Sequence, residues 1–252
     1  MKELFCFFCI VHILCDFYFQ SQTMADKKRK NISWVLLHIV VYTISALIMF
    51  RIILTGLSWD YCMLFVVSHA LIDGLKYGIC NSKFIKQKNI KFNHTVIFVI
   101  DQFFHILIIG FIVYGVKDMM TKELYNKDVV EFLNEIQIQK TLLISWILKL
   151  ILIHKPSNIL ISSILKGYRP NEKYEDIEKN EDKNAGRFIG TLERIMMTIL
   201  ISIDQYSAVG LVLTAKSIAR YDKISKDQIF AEYYLLGTLL SAICSIVVAI
   251  LI

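Results

Sequence analysis

The stretch ISWVLLHIVVYTISALIMFRIIL, residues 32–54, contains one charged residue, Arg51, and one histidine, His38. An apolar run of about 18 residues or more is long enough to cross about 30 Å of hydrocarbon as an α-helix. A helix is expected because, in lipid, each backbone N–H and C=O group must be satisfied within the protein. This run therefore predicts a transmembrane helix.

Further long apolar runs lie on both sides of this segment. We expect additional spans at about residues 3–20, 60–79, 94–116, 139–153, 188–214 and 229–252. The whole chain is 56% hydrophobic, its mean hydropathy is +0.53, and it contains only two prolines and ten glycines. Such a composition is too apolar for an ordinary soluble domain. The predicted fold class is therefore all-α, a polytopic transmembrane helix bundle of six to seven spans.

The polar stretches between the spans indicate three regions. These are a four-span N-terminal bundle at 1–116, a polar loop at 117–138, and a C-terminal membrane region at 139–252 with two to three spans and a polar loop at 167–187. In the last region, Pro156 is expected to break or kink the fifth span, because proline cannot donate the backbone hydrogen bond of a helix interior. Residues 158–166 would then lie along the membrane interface.

Basic residues predict the orientation of the chain in the membrane. The formal net charge is +6, and the segment DKKRK at 26–30 and the four lysines at 83–91 are expected on the cytoplasmic side. The N-terminus then lies outside, and the first run is read as a span rather than a signal peptide because it has no small-residue cleavage site. The basic residues at 216–226 do not fit this orientation, because counting the spans places them outside, whereas basic loops are expected on the cytoplasmic side. Either that loop is an exception or one of the last three spans does not cross.

Three of the expected spans carry a histidine and an aspartate four residues apart, so that each pair shares one helix face. The pairs are His12 and Asp16, His69 and Asp73, and Asp101 and His105. The third of these spans runs in the opposite direction to the other two, and its pair is in the opposite order. The aspartates are therefore expected at one depth in the bilayer, with the histidines about 6 Å deeper. His38 falls near the level of the aspartates.

A charged group inside a span is costly and usually faces the interior of the bundle, and a bound cation would offset that cost. Imidazole and carboxylate groups are ligands for Zn, Mn and Fe, and their number here suffices for two ions bridged by carboxylates. We predict one or two divalent metal ions with these ligands: His12, Asp16, His69, Asp73, Asp101 and His105. A metal-free proton or ion pathway and structural packing of polar side chains remain as alternatives.

A second set of polar residues lies near the start of the span expected at 188–214. The segment GRFIGTLER, residues 186–194, places Glu193 and Arg194 close to the level of the His/Asp pairs in the predicted orientation. Arginine binds phosphate with bidentate geometry, although an ion pair within or between helices accounts for these residues equally well. Asp204 is expected in the middle of the same span.

The polar motifs resemble those of an uncharacterised bacterial family of multi-spanning membrane proteins of unknown function, DUF3307. The matching pieces are HxxxDFxxQ at 12–20, HxxIDxxK at 69–76 and DQxxH at 101–105. In the C-terminal half, GRFIGTLER, AKSIAR and AEYYLLGTLLS resemble an extended form of the same family. The resemblance implies a multi-pass protein of the bacterial cytoplasmic membrane and supports the choice of residues, but it implies no reaction. A looser similarity to membrane-bound metal-dependent hydrolases with spaced histidines is an analogy.

These observations support three functional hypotheses. The first is a membrane-embedded, metal-dependent hydrolase acting on an amphipathic, lipid-phosphate-like substrate at the cytoplasmic leaflet, with His38 as a ligand or an acid/base group and with Lys76 and Arg194 neutralising phosphate. The second is a metal-ion or proton transporter or channel that uses the same groups, and the third is a non-catalytic membrane scaffold subunit. Membrane lipid is the expected partner, and an oligomer is left open. Basic and aromatic residues do not alternate, so nucleic acid is not expected.

Overall fold

The computed structural model describes residues 1–82, 93–117, 123–168 and 180–252, with the side chains of the last range described from residue 186 onward. The described residues form helices and no strand. In chain order the α-helices are α1 Lys2–Ile13, α2 Gln22–Lys27, α3 Ile32–Ile53, α4 Trp59–Asn81, α5 His94–Val116, α6 Lys127–Glu135, α7 Lys140–Leu165, α8 Asn180–Ser202, α9 Tyr206–Ala219, α10 Tyr221–Lys226 and α11 Gln228–Leu251. The lysines predicted at 83–91 lie outside the described residues, as does most of the polar loop predicted at 167–187.

Five helices of the described chain are long and apolar enough to cross a membrane. They are α3, α4, α5, α7 with its 3-10 extension to Tyr168, and α11. On α3, large apolar side chains are exposed at steps of four residues, as expected for a face that contacts lipid: Leu36, Val40, Ile44, Ile48 and Ile52. The prediction of an all-α membrane bundle is confirmed, and α1, with 12 residues, is too short to count as a span by itself.

The chain divides into two compact units, Met1–Leu148 and Lys149–Ile252, and the division falls inside α7. In the first unit, α1 is buried almost all round from Leu4 to Ile13, which is typical of a helix at the centre of a bundle. It continues into a π-helical turn, Leu14–Tyr18, in which the Phe19 N–H donates to the Leu14 carbonyl at 2.9 Å. Such turns often occur at functional sites, and this one contains Asp16.

The turn between α3 and α4 is held by the segment that precedes α6. The Gly56 N–H donates to the Leu124 carbonyl at 3.0 Å, and the Asn126 N–H donates to the Ile53 carbonyl at 2.8 Å. A Cβ atom at Gly56 would collide with the Glu123 carbonyl oxygen, so that glycine is required at this close approach. The stretch predicted as a polar loop at 117–138 thus contains the nine-residue helix α6.

In the second unit, α7 continues through Pro156 to Leu165, so the helix is not broken there and residues 158–165 belong to it. The alternative, a kink at Pro156, stays a prediction. Proline cannot donate to the carbonyl four residues earlier, that of Leu152. The hydroxyl of Ser157 donates to this carbonyl instead, at 2.8 Å. A neighbouring serine that satisfies the freed carbonyl is a known way for a membrane helix to tolerate proline.

The span predicted at 188–214 is not one helix. It ends as α8 at Ser202, turns at Asp204, whose φ is 59°, and continues as α9. The Lys216 ammonium near the end of α9 pairs with the Glu193 carboxylate on α8 at 2.5 Å, so the two helices form an antiparallel hairpin. A helix of 14 residues is about 21 Å long, which is too short to cross the bilayer. This geometry agrees with the alternative in which one of the last three spans does not cross, and the side of the membrane on which α9 ends stays a prediction.

Candidate metal centre

The structure brings all the predicted ligands together inside the first unit. We use the name His/Asp centre for this set: His12, Asp16, His38, His69, Asp73, Asp101 and His105. All seven side chains are buried, and His38 is completely inaccessible. They come from α1 and its π-helical turn, α3, α4 and α5, so that each of the main helices of the bundle contributes at least one group.

Three overlapping groups within the centre could hold a metal ion, because in each of them the ligand atoms lie within 4.8 Å of one another. The first consists of three histidines, the second of two aspartates and two histidines, and the third of two aspartates and a histidine. Their members are His12, His69 and His105; Asp16, His38, His69 and Asp73; and Asp73, Asp101 and His105. The groups share members, which is the arrangement expected of a site that can hold one ion or two neighbouring ions.

Three of the histidines line a small cavity. A cavity of about 10 Å³ is lined by His12, His69 and His105 together with Tyr42 and apolar side chains. A volume of this size, measured as the space open to the centre of a water molecule, is about what one water molecule needs. The cavity therefore has room for one water molecule or one ion beside the three imidazole rings.

His38 lies between two carboxylates. Its Nε2 atom is 3.2 Å from Asp16 Oδ1 and 3.4 Å from Asp73 Oδ2. The same atom is 3.3 Å from His69 Nε2. His38 thus joins the aspartate level to the histidine level, in agreement with the depth at which the sequence places it.

Two lysines lie at the more exposed edge of the centre. Lys28 Nζ is 3.5 Å from Asp16 Oδ1 and 3.3 Å from Asp73 Oδ2, and Lys76 Nζ is 3.6 Å from Asp73 Oδ1 and 2.7 Å from Asp101 Oδ2. The side chain of Lys76 is 31% exposed and that of Lys28 is 14% exposed, against 4% for Asp73. If the histidines are neutral, three carboxylates face two ammonium groups and one negative charge is left over, which favours a further cation.

Sequence reasoning missed three members of this environment. Lys28 belongs to the DKKRK segment, in which nothing distinguishes it from its basic neighbours. Tyr42, one helical turn after His38, stacks its ring on that of His69 with centroids 3.5 Å apart and planes 3° apart. Gln102 is part of the DQxxH motif, and its amide lies between His12 and two carboxylates.

The donor atoms of the centre fit a metal ion. Within the described residues, four buried atoms of the centre have no hydrogen-bond partner: His38 Nδ1, His69 Nδ1, Asp101 Oδ1 and His105 Nε2. An orphaned buried polar atom is costly and is commonly explained by an ion or a water molecule. Imidazole nitrogen and carboxylate oxygen are the ligands that Zn, Mn and Fe use in proteins.

Arg194 lies in the second unit, where it is buried and donates to neutral acceptors. Its Nε atom is 3.2 Å from the Ile153 carbonyl oxygen. Its terminal nitrogens lie 2.6 Å from Asn158 Oδ1, 3.2 Å from Thr191 Oγ1 and 3.4 Å from Ser241 Oγ. These bonds account for Arg194 as a link between helices, and its predicted role in neutralising phosphate stays a prediction.

One comparison with known proteins finds a family. The sequence profile of a family described as "Protein of unknown function (DUF3307)" matches residues 4–133. This range contains the complete His/Asp centre and both lysines at its edge. The resemblance expected for the motifs after residue 186 lies beyond the matched range and stays a prediction. No curated protein and no solved structure matches the chain at a significant level.

Proposed function

This chain belongs to the DUF3307 family, whose function is unknown, and we propose its function from the His/Asp centre: a membrane-embedded, metal-dependent hydrolase. Its substrate would be an amphipathic, phosphate-bearing molecule at the cytoplasmic leaflet. The observation that carries the proposal is the set of three overlapping ligand groups, each with its ligand atoms within 4.8 Å of one another. A soluble substrate would not require a centre built between membrane helices, whereas a lipid can approach it sideways.

The residues of the centre would have different roles in the reaction. Asp73, Asp101 and His105 form one group that would hold a divalent ion, and Asp16, His38 and His69 add donors for a second. A divalent ion bound there would supply a hydroxide nucleophile at neutral pH and would stabilise developing negative charge. If His38 does not ligate an ion, its Nε2 atom, which faces two carboxylates, is suited to hold a proton that a leaving group needs.

The two lysines favour an anionic substrate over a transported cation. Lys28 and Lys76 lie at the more exposed edge of the centre, where the ammonium groups can bind phosphate oxygens. At the entrance to a cation pathway, the same two positive charges would repel the ion.

A second candidate function is transport of a metal ion or of protons through the same centre. The cavity beside the three histidines, at about 10 Å³, is of the size of one ion or one water molecule and is too small for a phosphate group. Under this alternative, the lysines would regulate entry rather than bind substrate.

Metal analysis of the purified protein tests the shared part of both proposals. We expect one to two equivalents of Zn, Mn or Fe in the wild type after loading, and less than half of that in His105→Gln. Ser245→Ala, a buried polar substitution in the second unit, is the matched control and is expected to retain the wild-type content. A folded wild type that retains no ion after loading with each metal contradicts the proposal.

A pair of activity measurements then separates the two functions. Release of inorganic phosphate from long-chain lipid phosphates in detergent is expected to require the metal. Its rate is expected to fall at least about tenfold in Lys76→Met, which corresponds to about 1.4 kcal/mol of lost transition-state stabilisation. Metal flux into proteoliposomes without phosphate release would favour transport instead.

A further inference from the structure

We infer that His12 does not ligate the metal but positions the centre, as the middle member of a hydrogen-bonded chain that runs from Tyr42 through His12 to Gln102 and then to two carboxylates. The inference rests on the proposed metal site and revises the ligand set predicted from the sequence. It follows from counting donors and acceptors along the chain.

The orientation of the Gln102 amide is decided by its neighbours. Gln102 Nε2 is 3.2 Å from Asp16 Oδ2 and 3.4 Å from Asp101 Oδ2. An amide nitrogen has two N–H donors, and a carboxylate oxygen only accepts. With the amide turned round, its carbonyl oxygen would face two negatively charged oxygens, which is unfavourable. The amide nitrogen therefore donates to both carboxylates, and the carbonyl oxygen is left facing His12.

This orientation dictates the protonation of His12. Gln102 Oε1 is 3.3 Å from His12 Nε2 and can only accept, so Nε2 carries a hydrogen atom. In the neutral ring, Nδ1 is then an acceptor, and the Tyr42 hydroxyl donates to it at 3.1 Å. In the imidazolium form, both nitrogens would donate. In neither form does His12 keep a free lone pair for a metal ion.

His105 shows the opposite pattern. Its Nδ1 atom is 2.8 Å from the Asp101 carbonyl oxygen, which only accepts, so Nδ1 carries the hydrogen and Nε2 keeps its lone pair. His105 Nε2 has no hydrogen-bond partner among the described residues, and neither has Asp101 Oδ1. A ligating histidine usually donates its other N–H to a carbonyl or carboxylate in this way. The primary ion is assigned to Asp73, Asp101 and His105, the group that contains both of these unpartnered atoms, with His12 outside its ligand shell.

The chain has a defined task at this site. Gln102 holds the Oδ2 atoms of Asp16 and Asp101, and it leaves the Oδ1 atom of each carboxylate for other partners. His12 fixes the Gln102 amide, and Tyr42 fixes His12. Loss of His12 would thus let two carboxylates rotate without removing a ligand, and such outer partners typically change metal affinity 10–100-fold.

X-ray absorption of the Zn-loaded protein counts the imidazole ligands directly. In His12→Gln we expect an unchanged imidazole count and an affinity within about tenfold of the wild type, because glutamine can both donate to Gln102 and accept from Tyr42. In His12→Leu the imidazole count should again be unchanged while affinity falls about 10–100-fold. In His105→Gln the count should fall by one. Loss of an imidazole in His12→Gln overturns the inference.

Nitrogen-15 NMR of histidine-labelled protein without metal gives a second, independent test. The His12 resonances are identified by their absence in His12→Gln. We expect hydrogen on Nε2 and not on Nδ1 in the wild type. The Nδ1-protonated tautomer would overturn the inference without any measurement of metal affinity, and His12→Leu provides the same assignment if His12→Gln does not fold. A wild type that binds no metal while His12 shows the expected tautomer would refute the proposed function and leave the hydrogen-bonded chain in place.

Discussion

The two units of the protein bury ionisable side chains in different ways. In the second unit, Arg194 is 2% exposed and donates to a backbone carbonyl and to amide and hydroxyl groups, and Lys149 donates to Ser202 at 3.1 Å. In the first unit, carboxylates and imidazoles crowd together, and several of their ligand atoms are unpartnered within the described residues. Among the described residues of the second unit, the corresponding unpartnered atoms are hydroxyl oxygens, those of Thr198, Tyr234 and Thr238.

This difference shows what distinguishes a site from a structural contact inside a membrane. Polar groups that satisfy one another join helices and need no ligand. Spare imidazole nitrogens and carboxylate oxygens within reach of one another need an ion or protons to compensate them. Both units thus bury charged groups, and they differ in that the first unit also has unpartnered atoms that can ligate an ion.

Substitution of Asp73 should give the largest difference in metal affinity between a change in the first unit and a change in the second. Asp73 belongs to two of the three ligand groups and also contacts Lys28, Lys76 and His38. In Asp73→Asn we expect metal affinity to fall by at least about 100-fold, since loss of outer partners alone costs 10–100-fold. Competition with a chelator measures the affinity. Ser241→Ala in the second unit is the control and should remain within about twofold of the wild type, and equal losses in both variants would refute the distinction.

Substitution of Arg194 is expected to have the next largest effect, which is a loss of unfolding free energy rather than of bound metal. Arg194→Met leaves the Ile153 carbonyl and the Asn158 amide oxygen without their donor, and we expect a loss of about 2–4 kcal/mol of unfolding free energy. Thermal or denaturant unfolding in detergent measures the loss, and the metal content should not change. If stability and metal content are both retained while phosphate release is lost, Arg194 has the catalytic role that the sequence predicts.

The meeting of the His/Asp pairs in one cluster could be predicted from the sequence because it follows from helix geometry. Side chains four residues apart share a face, and reversal of the chain direction reverses the order of a pair. The convergence of Asp16, Asp73 and Asp101 follows from these two rules once the spans are in place. No knowledge of the packing between helices is needed to place them at one level.

The features that could not be predicted depend on contacts between distant residues. Lys28, the C-cap residue of α2, contacts Asp16 and Asp73, and no local pattern selects it from its basic neighbours. Where α7 continues through Pro156, the Ser157 hydroxyl donates to the Leu152 carbonyl, and the sequence does not show which acceptor that hydroxyl takes. The turn at Asp204 interrupts an apolar run that is long enough to cross, so length and hydropathy alone predict one span.

The serine beside the proline offers a smaller test within the second unit. In Ser157→Ala, the Leu152 carbonyl loses the donor that replaces the missing proline N–H. We expect a loss of about 1 kcal/mol of unfolding free energy, with no change in metal affinity. The double variant Pro156→Ala/Ser157→Ala should recover most of the loss, because alanine restores the backbone donor. A double variant less stable than Ser157→Ala would show that the proline geometry itself is needed, for example by Arg194.

The smallest effect is expected from single cysteines that report on the hairpin of α8 and α9. Lys166→Cys, at the end of α7, and Lys226→Cys, at the end of α10, change exposed positions and should alter stability by less than about 0.5 kcal/mol. A membrane-impermeant thiol reagent should label both from the same side, because α9 returns the chain without crossing, while Leu251→Cys at the end of α11 should be labelled from the opposite side. Labelling of Lys166→Cys and Lys226→Cys from opposite sides would mean that the chain crosses between them. The basic residues at 216–226 would then be an exception to the rule that basic loops lie on the cytoplasmic side. Each long apolar run of the second unit would cross the membrane, as in the first unit.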